Sequence, residues 1–79
     1  METNELYTKL TSVFHDVFED EGLVVVPQMS ANDVDGWDSL NHLRLVLSVQ
    51  KVFGVKFSAH EIAQLKNVGD LASLIQAKV

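Results

Sequence analysis

Seventy-nine residues, 47% hydrophobic and 22% charged, fit a small soluble globular chain. A chain this short buries only about 60–65% of the surface its unfolded form exposes, which leaves little room for a deep active site. The absence of cysteine removes disulfides, thiolate metal sites and a cysteine nucleophile together. The net charge of −5 is uneven, with nine acids and one base before Ser39 against two acids and five bases from there on. Five scattered bases make no phosphate-backbone surface, so nucleic acid is not an expected partner.

The pattern is helical nearly throughout. Leu6, Leu10, Val13, Phe14, Val17 and Phe18 line one face of a first helix, with Glu5, Thr8, Lys9, Ser12, Asp16 and Glu19 on the wet side. Gly22 stands where a helix-ending glycine is expected. Over residues 22–37 the periodicity stops. Val24-Val25-Val26 is short enough for a strand, but Pro27 follows at once and no matching strand is in sight. Ser30, Asn32, Asp33, Asp35 and Gly36 then supply turn chemistry, so the segment reads as a long loop whose Val and Met residues pack down on the helices.

A second helix is predicted from Asp38-Ser39 to Phe53, with Gly54 beyond it. Leu40, Leu43, Leu45, Val46, Leu47, Val49, Val52 and Phe53 are more apolar positions than one buried stripe requires. Either the helix is buried widely, or part of it is meant for a partner. Ser58-Ala59-His60-Glu61 is a capping box that starts a short third helix over 59–65. Asn67 caps a fourth, on which Val68, Leu71, Ala72, Leu74 and Ile75 share a face. The expected fold class is all-α, a four-helix bundle of three longer helices and a short third one, in one domain over residues 1–79.

No apolar run approaches the roughly 20 residues that span a bilayer. The acidic start Met1-Glu2-Thr3-Asn4-Glu5 lacks the pattern of a signal peptide, so a cytoplasmic location is expected. His15, His42 and His60 fall in three segments without ligand spacing and read as isolated surface histidines.

The stretch Asp33-Val34-Asp35-Gly36-Trp37-Asp38-Ser39-Leu40 carries the chemistry. It places Ser39 in the first turn of a helix, where backbone N–H groups lack partners and the helix dipole is positive. A phosphate on Ser39 would meet those donors. Asp38 is suited to cap the helix, and Gly36 to turn the chain. Taken alone, Asp38-Ser39 is an ordinary cap and Trp37 a lid on the core. A calcium loop fails on spacing, because Asp38 stands where its glycine should fall. A hydrolase fails too, since Ser39 lies in no G-x-S-x-G elbow and no histidine is placed as its base.

Asp38-Ser39-Leu40, midway along the chain, resembles the modification site of acyl carrier proteins. The likeness covers nearly the whole chain: first helix, long loop, Asp-Ser-Leu, Phe53-Gly54, Val55-Lys56-Phe57 and the capped short helix fall in that family's order. The Gly36-Trp37-Asp38-Ser39 form is similar to stand-alone carriers of specialised pathways. The resemblance implies a 4′-phosphopantetheine arm moved from coenzyme A onto Ser39 by a phosphopantetheinyl transferase, with Asp38 and Leu40 as its neighbours in the site. The arm's thiol would carry acyl or aminoacyl groups as thioesters, so the chain itself is expected to be no enzyme.

One departure stands out. Housekeeping members of that family bear an acidic second helix, whereas here it carries His42, Arg44 and Lys51 and no acid between Ser39 and Phe53. Like charges across an interface cost free energy, so dedicated acyl-loading and acyl-accepting enzymes are the expected partners. Leu40, Arg44, Leu47 and Lys51 are the docking candidates; Leu43 is assigned to the core. The chain is expected to be a monomer. The rival reading is a carrier-fold module that is never loaded and only binds other proteins.

Overall fold

The computed structural model describes residues 1–79 and contains four α-helices: α1 (Thr3–Phe18), α2 (Ser39–Phe53), α3 (Ala59–Ala63) and α4 (Val68–Lys78), with one 3-10 turn at Ala31–Asp33. Leu6, Leu10, Val13 and Phe14 of α1 face Leu45 and Val49 of α2 and Val68, Leu71, Ala72 and Ile75 of α4. These are the apolar positions a 3.6-residue period brings to one side. The loop after α1 adds Val25, Met29 and Val34 to the same cluster, and Val24–Val26 forms no strand. No helix is long and apolar enough to cross a membrane.

The end of α1 departs from the expectation at Gly22. The helix stops at Phe18, and Glu19 turns it off in the left-handed region, with φ 53°. Three successive acids, Glu19, Asp20 and Glu21, would face the negative end of the helix dipole if the helix continued. Asp20 Oδ1 instead accepts the Gly22 N–H at 3.0 Å. His15 Nε2–H donates to the Leu23 carbonyl at 2.8 Å, which ties the departing chain back to α1. His15 is therefore a half-buried structural group, not an isolated surface histidine.

The long loop is held by backbone as well as by side chains. Val68 N–H donates to the Met29 carbonyl and Gly69 N–H to the Pro27 carbonyl, each at 2.8 Å. The loop thus satisfies N–H groups that the first turn of any helix leaves without partners. A Cβ on Gly69 would stand 3.1 Å from that Pro27 oxygen, so glycine permits the close approach.

Local chemistry sets the later helices. Gly54, at φ 68°, ends α2 as the sequence predicts. Ser58 Oγ accepts the Glu61 N–H and Glu61 Oε1 accepts the Ser58 N–H, and α3 is shorter than the predicted 59–65, ending at Ala63. Asn67 Oδ1 accepts the Asp70 N–H at 2.8 Å and caps α4.

Glu61 also meets Lys78 Nζ at 3.2 Å, which joins α3 to the end of α4. The Ser58 N–H, and after it Lys78, hold the Glu61 carboxyl below the usual glutamate range. A carboxyl lowered in the folded state contributes fully above its unfolded value, and that contribution is lost as pH falls through the lowered folded value. Amides of residues 59–63 are therefore expected to lose exchange protection in that acidic window. Glu61→Gln, which can still cap, is expected to flatten the response; an unchanged acid titration in the variant would remove Glu61 as its source.

Candidate functional site

The approach to α2 is a tight turn built from four hydrogen bonds. Trp37 N–H reaches the Val34 carbonyl at 3.3 Å and Asp38 N–H the Gly36 carbonyl at 2.9 Å. Asn41 Nδ2 donates back to Gly36 O at 2.6 Å. Gly36 sits at φ 85°, a conformation that side chains with a Cβ rarely adopt. Asp38 then caps the helix as expected, its Oδ1 accepting the Asn41 N–H at 2.8 Å.

Ser39 is consequently the first residue of α2, and it is exposed. Its own N–H and that of Leu40 make no hydrogen bond within the protein. Those two donors lie at the positive end of the helix beside the serine, a setting that favours an anion. The set fits a phosphodiester on that oxygen: donors without partners, no carboxylate aimed at them, and room outside. Asp38 is committed to its cap, and nothing here abstracts the hydroxyl proton.

Trp37 is half-buried. Its indole stands edge-on to Phe14, with centroids 5.5 Å apart and planes at 81°, and 5.9 Å from Phe18. The lid role expected for it therefore holds, and the core of α1 fixes the turn that precedes Ser39. Trp37, Asp38, Ser39 and His42 line an open groove with Ala31 and Leu65. Sequence reasoning named neither Ala31 nor Leu65, and it left His42 unpaired. His42 in fact accepts a hydrogen bond from the Trp37 indole.

The docking candidates share the outer side of α2. Leu40 is 66% exposed and Leu47 58%, with Arg44 and Lys51 also exposed between and beyond them. Leu43 corrects the expectation of a core position, being 51% exposed. It lies three residues from Leu40 and four from Leu47, so the helical period places it in their stripe and not with buried Leu45 and Val49. This accounts for the surplus of apolar positions on α2: one side packs, the other is open.

The start of α2 thus displays an exposed serine beside two unpartnered N–H groups. Comparison with known proteins gives the chain its class. Residues 9–75 match the family model described as phosphopantetheine attachment site. The chain is 31% identical to the acyl carrier protein of Coprothermobacter proteolyticus over 80 residues, covering 100% of this chain and 96% of that one. It is also 31% identical to the acyl carrier protein of Thermosynechococcus vestitus, covering 100% of this chain and 98% of the relative. Among solved structures, the solution NMR structure of holo acyl carrier protein from Geobacter metallireducens superposes with a TM-score of 0.85 at 44% identity, covering 91% of this chain and 83% of that one.

The chain belongs to the acyl carrier protein family. It is a carrier that takes a covalent 4′-phosphopantetheine group, and not an enzyme. Membership brings with it a phosphopantetheinyl transferase and biosynthetic enzymes as partners in general.

Proposed function

We propose that Ser39 is the attachment residue, and that the arm it bears carries acyl or aminoacyl intermediates for a dedicated biosynthetic pathway. The observation that carries this reading is the exposed serine at the first position of α2 beside two unpartnered N–H groups. When bound, the arm supplies the thiol and the thioester chemistry. The chain's own residues present the hydroxyl, hold the turn before it, and offer a face to each enzyme. Asp38 shapes that presentation through its cap, and Leu40 extends the apolar surface next to the serine.

The exposed side of α2 is the docking face in this reading. Leu40, Leu43 and Leu47 supply apolar contact, and Arg44 and Lys51 supply positive charge at its rim. A partner with basic patches is repelled by such a face, which supports a specialised stand-alone carrier. Residues 1–79 act as one monomeric carrier unit in the cytoplasm.

Co-expression with a broad-specificity phosphopantetheinyl transferase tests the attachment. Wild type is expected to gain one phosphopantetheine in intact-mass analysis, and Ser39→Ala none. Wild type left unmodified under those conditions would favour a carrier-fold interaction module that is never loaded.

A further inference from the structure

His42 lies one turn beyond Ser39, and the fold gives its ring a defined tautomer. Trp37 Nε1 donates to His42 Nδ1 at 3.1 Å, with the ring planes within 20° of one another. An indole nitrogen only donates, so the imidazole nitrogen that faces it has to be a bare acceptor. The neutral ring then carries its hydrogen on Nε2. That N–H lies on the ring edge away from Trp37 and makes no hydrogen bond to the protein.

The arrangement is anchored from the core outward. Phe14, fully buried on α1, holds the indole edge-on. The indole in turn fixes the plane and tautomer of His42. Residues three apart on a helix have Cβ atoms about 5–6 Å apart, so the His42 side chain is a neighbour of the Ser39 side chain. Ser39 and His42 line the same open groove. The carboxylate of Asp38 in that groove is held by the Asn41 N–H and does not compete for the imidazole.

We infer that His42 is a positioning residue for the attached arm, its Nε2–H donating to a phosphodiester oxygen on Ser39. This rests on Ser39 being the attachment residue. The Ser39 and Leu40 N–H groups hold the phosphate from the helix end, and His42 holds it from the side. The arm therefore leaves along the groove that Ala31 and Leu65 complete, and does not swing freely about the Ser39 side chain. A histidine that merely pinned the turn through Trp37 would be indifferent to modification.

The test compares imidazole ¹H–¹⁵N spectra of wild-type protein before and after modification, together with the ³¹P resonance of the modified form. Before modification, His42 is expected in the Nε2–H tautomer. After it, the Nε2 proton is expected to move downfield and exchange about 10-fold more slowly, the order of one charge-assisted hydrogen bond. His42→Ala is expected to displace the ³¹P resonance. His42→Gln, whose amide N–H reaches the region of Nε2, is expected to restore most of it. Trp37→Phe keeps the imidazole but releases its tautomer, and should give a partial displacement.

Identical His42 side-chain resonances in the two wild-type forms would overturn the inference. So would a ³¹P resonance untouched by His42→Ala. Should that variant fail to fold, the wild-type comparison decides alone. Failure of wild type to gain the arm, seen first by mass, would overturn the attachment residue and the role of His42 with it, whereas unchanged His42 resonances in a protein that does carry the arm would overturn the role of His42 alone.

Discussion

Phe14→Ala is expected to lower stability by about 3–5 kcal/mol, the range for emptying a buried aromatic position. The ring is completely buried, with the Phe18 centroid at 5.6 Å and that of Trp37 at 5.5 Å. At roughly 0.05–0.15 kcal/mol per residue, a chain of this length has about 4–12 kcal/mol in all. The loss is therefore a quarter of the total or more, and the melting temperature should fall by roughly 12–40 °C. Trp37 is the only tryptophan, so its fluorescence reports on the contact that is removed. Urea unfolding followed by that fluorescence and by far-ultraviolet circular dichroism measures the change. A midpoint shift worth less than about 1 kcal/mol would mean that the α1 core does not depend on this ring. The consequence reaches the start of α2 as well, because Phe14 and Phe18 seat the indole that precedes Ser39.

The parts of the molecule that follow from near neighbours were legible in the sequence. Asp38, the Ser58–Glu61 pair and Asn67 each bond to an N–H three residues away, so their helix starts could be placed from spacing alone. Ser39 inherits its position from Asp38, so its place at the start of α2 was visible without coordinates, whereas its candidacy for attachment came from the resemblance carried by Asp38-Ser39-Leu40. Leu43 was misplaced for a different reason. A run as apolar as that of α2 gives no contrast from which to choose the buried side, and only packing against α1 decides it.

What stayed hidden depends on the path of the loop. The Pro27 and Met29 carbonyls meet α4 some forty positions along the chain, and no spacing encodes that pairing. Gly69 was the single local trace of it, a residue without a side chain in the first turn of a helix. The end of α1 was set by where three acids could face, and by a His15–Leu23 bond, against the ordinary preference for glycine at a helix end. The Trp37–His42 bond likewise joins a turn to a helix, and reading the three histidines as isolated overlooked it.

Leu40→Asp is expected to separate docking from folding. Leu40 is 66% exposed, so its removal from the surface costs the fold little, within about 0.5 kcal/mol. An acid in the first turn of α2 is even favoured by the helix dipole, by about 0.3–1 kcal/mol. At a docking face the same change acts in the opposite direction. A central apolar contact carries about 1–2 kcal/mol or more, and a carboxylate pressed against an apolar hollow adds its desolvation. Since about 1.4 kcal/mol is tenfold in affinity or rate, kcat/KM for phosphopantetheine transfer is expected to fall about 10- to 100-fold. Val24→Asp, at the 73% exposed valine of the loop, should change neither stability nor transfer. Arg44→Glu, a charge at the rim, should act mainly on the association rate and lose its effect as salt is raised. Initial rates of modification for the three variants, set beside their melting curves, decide the matter. Equal transfer rates for wild type and Leu40→Asp would take the start of α2 out of the transferase contact, whatever the melting curves show.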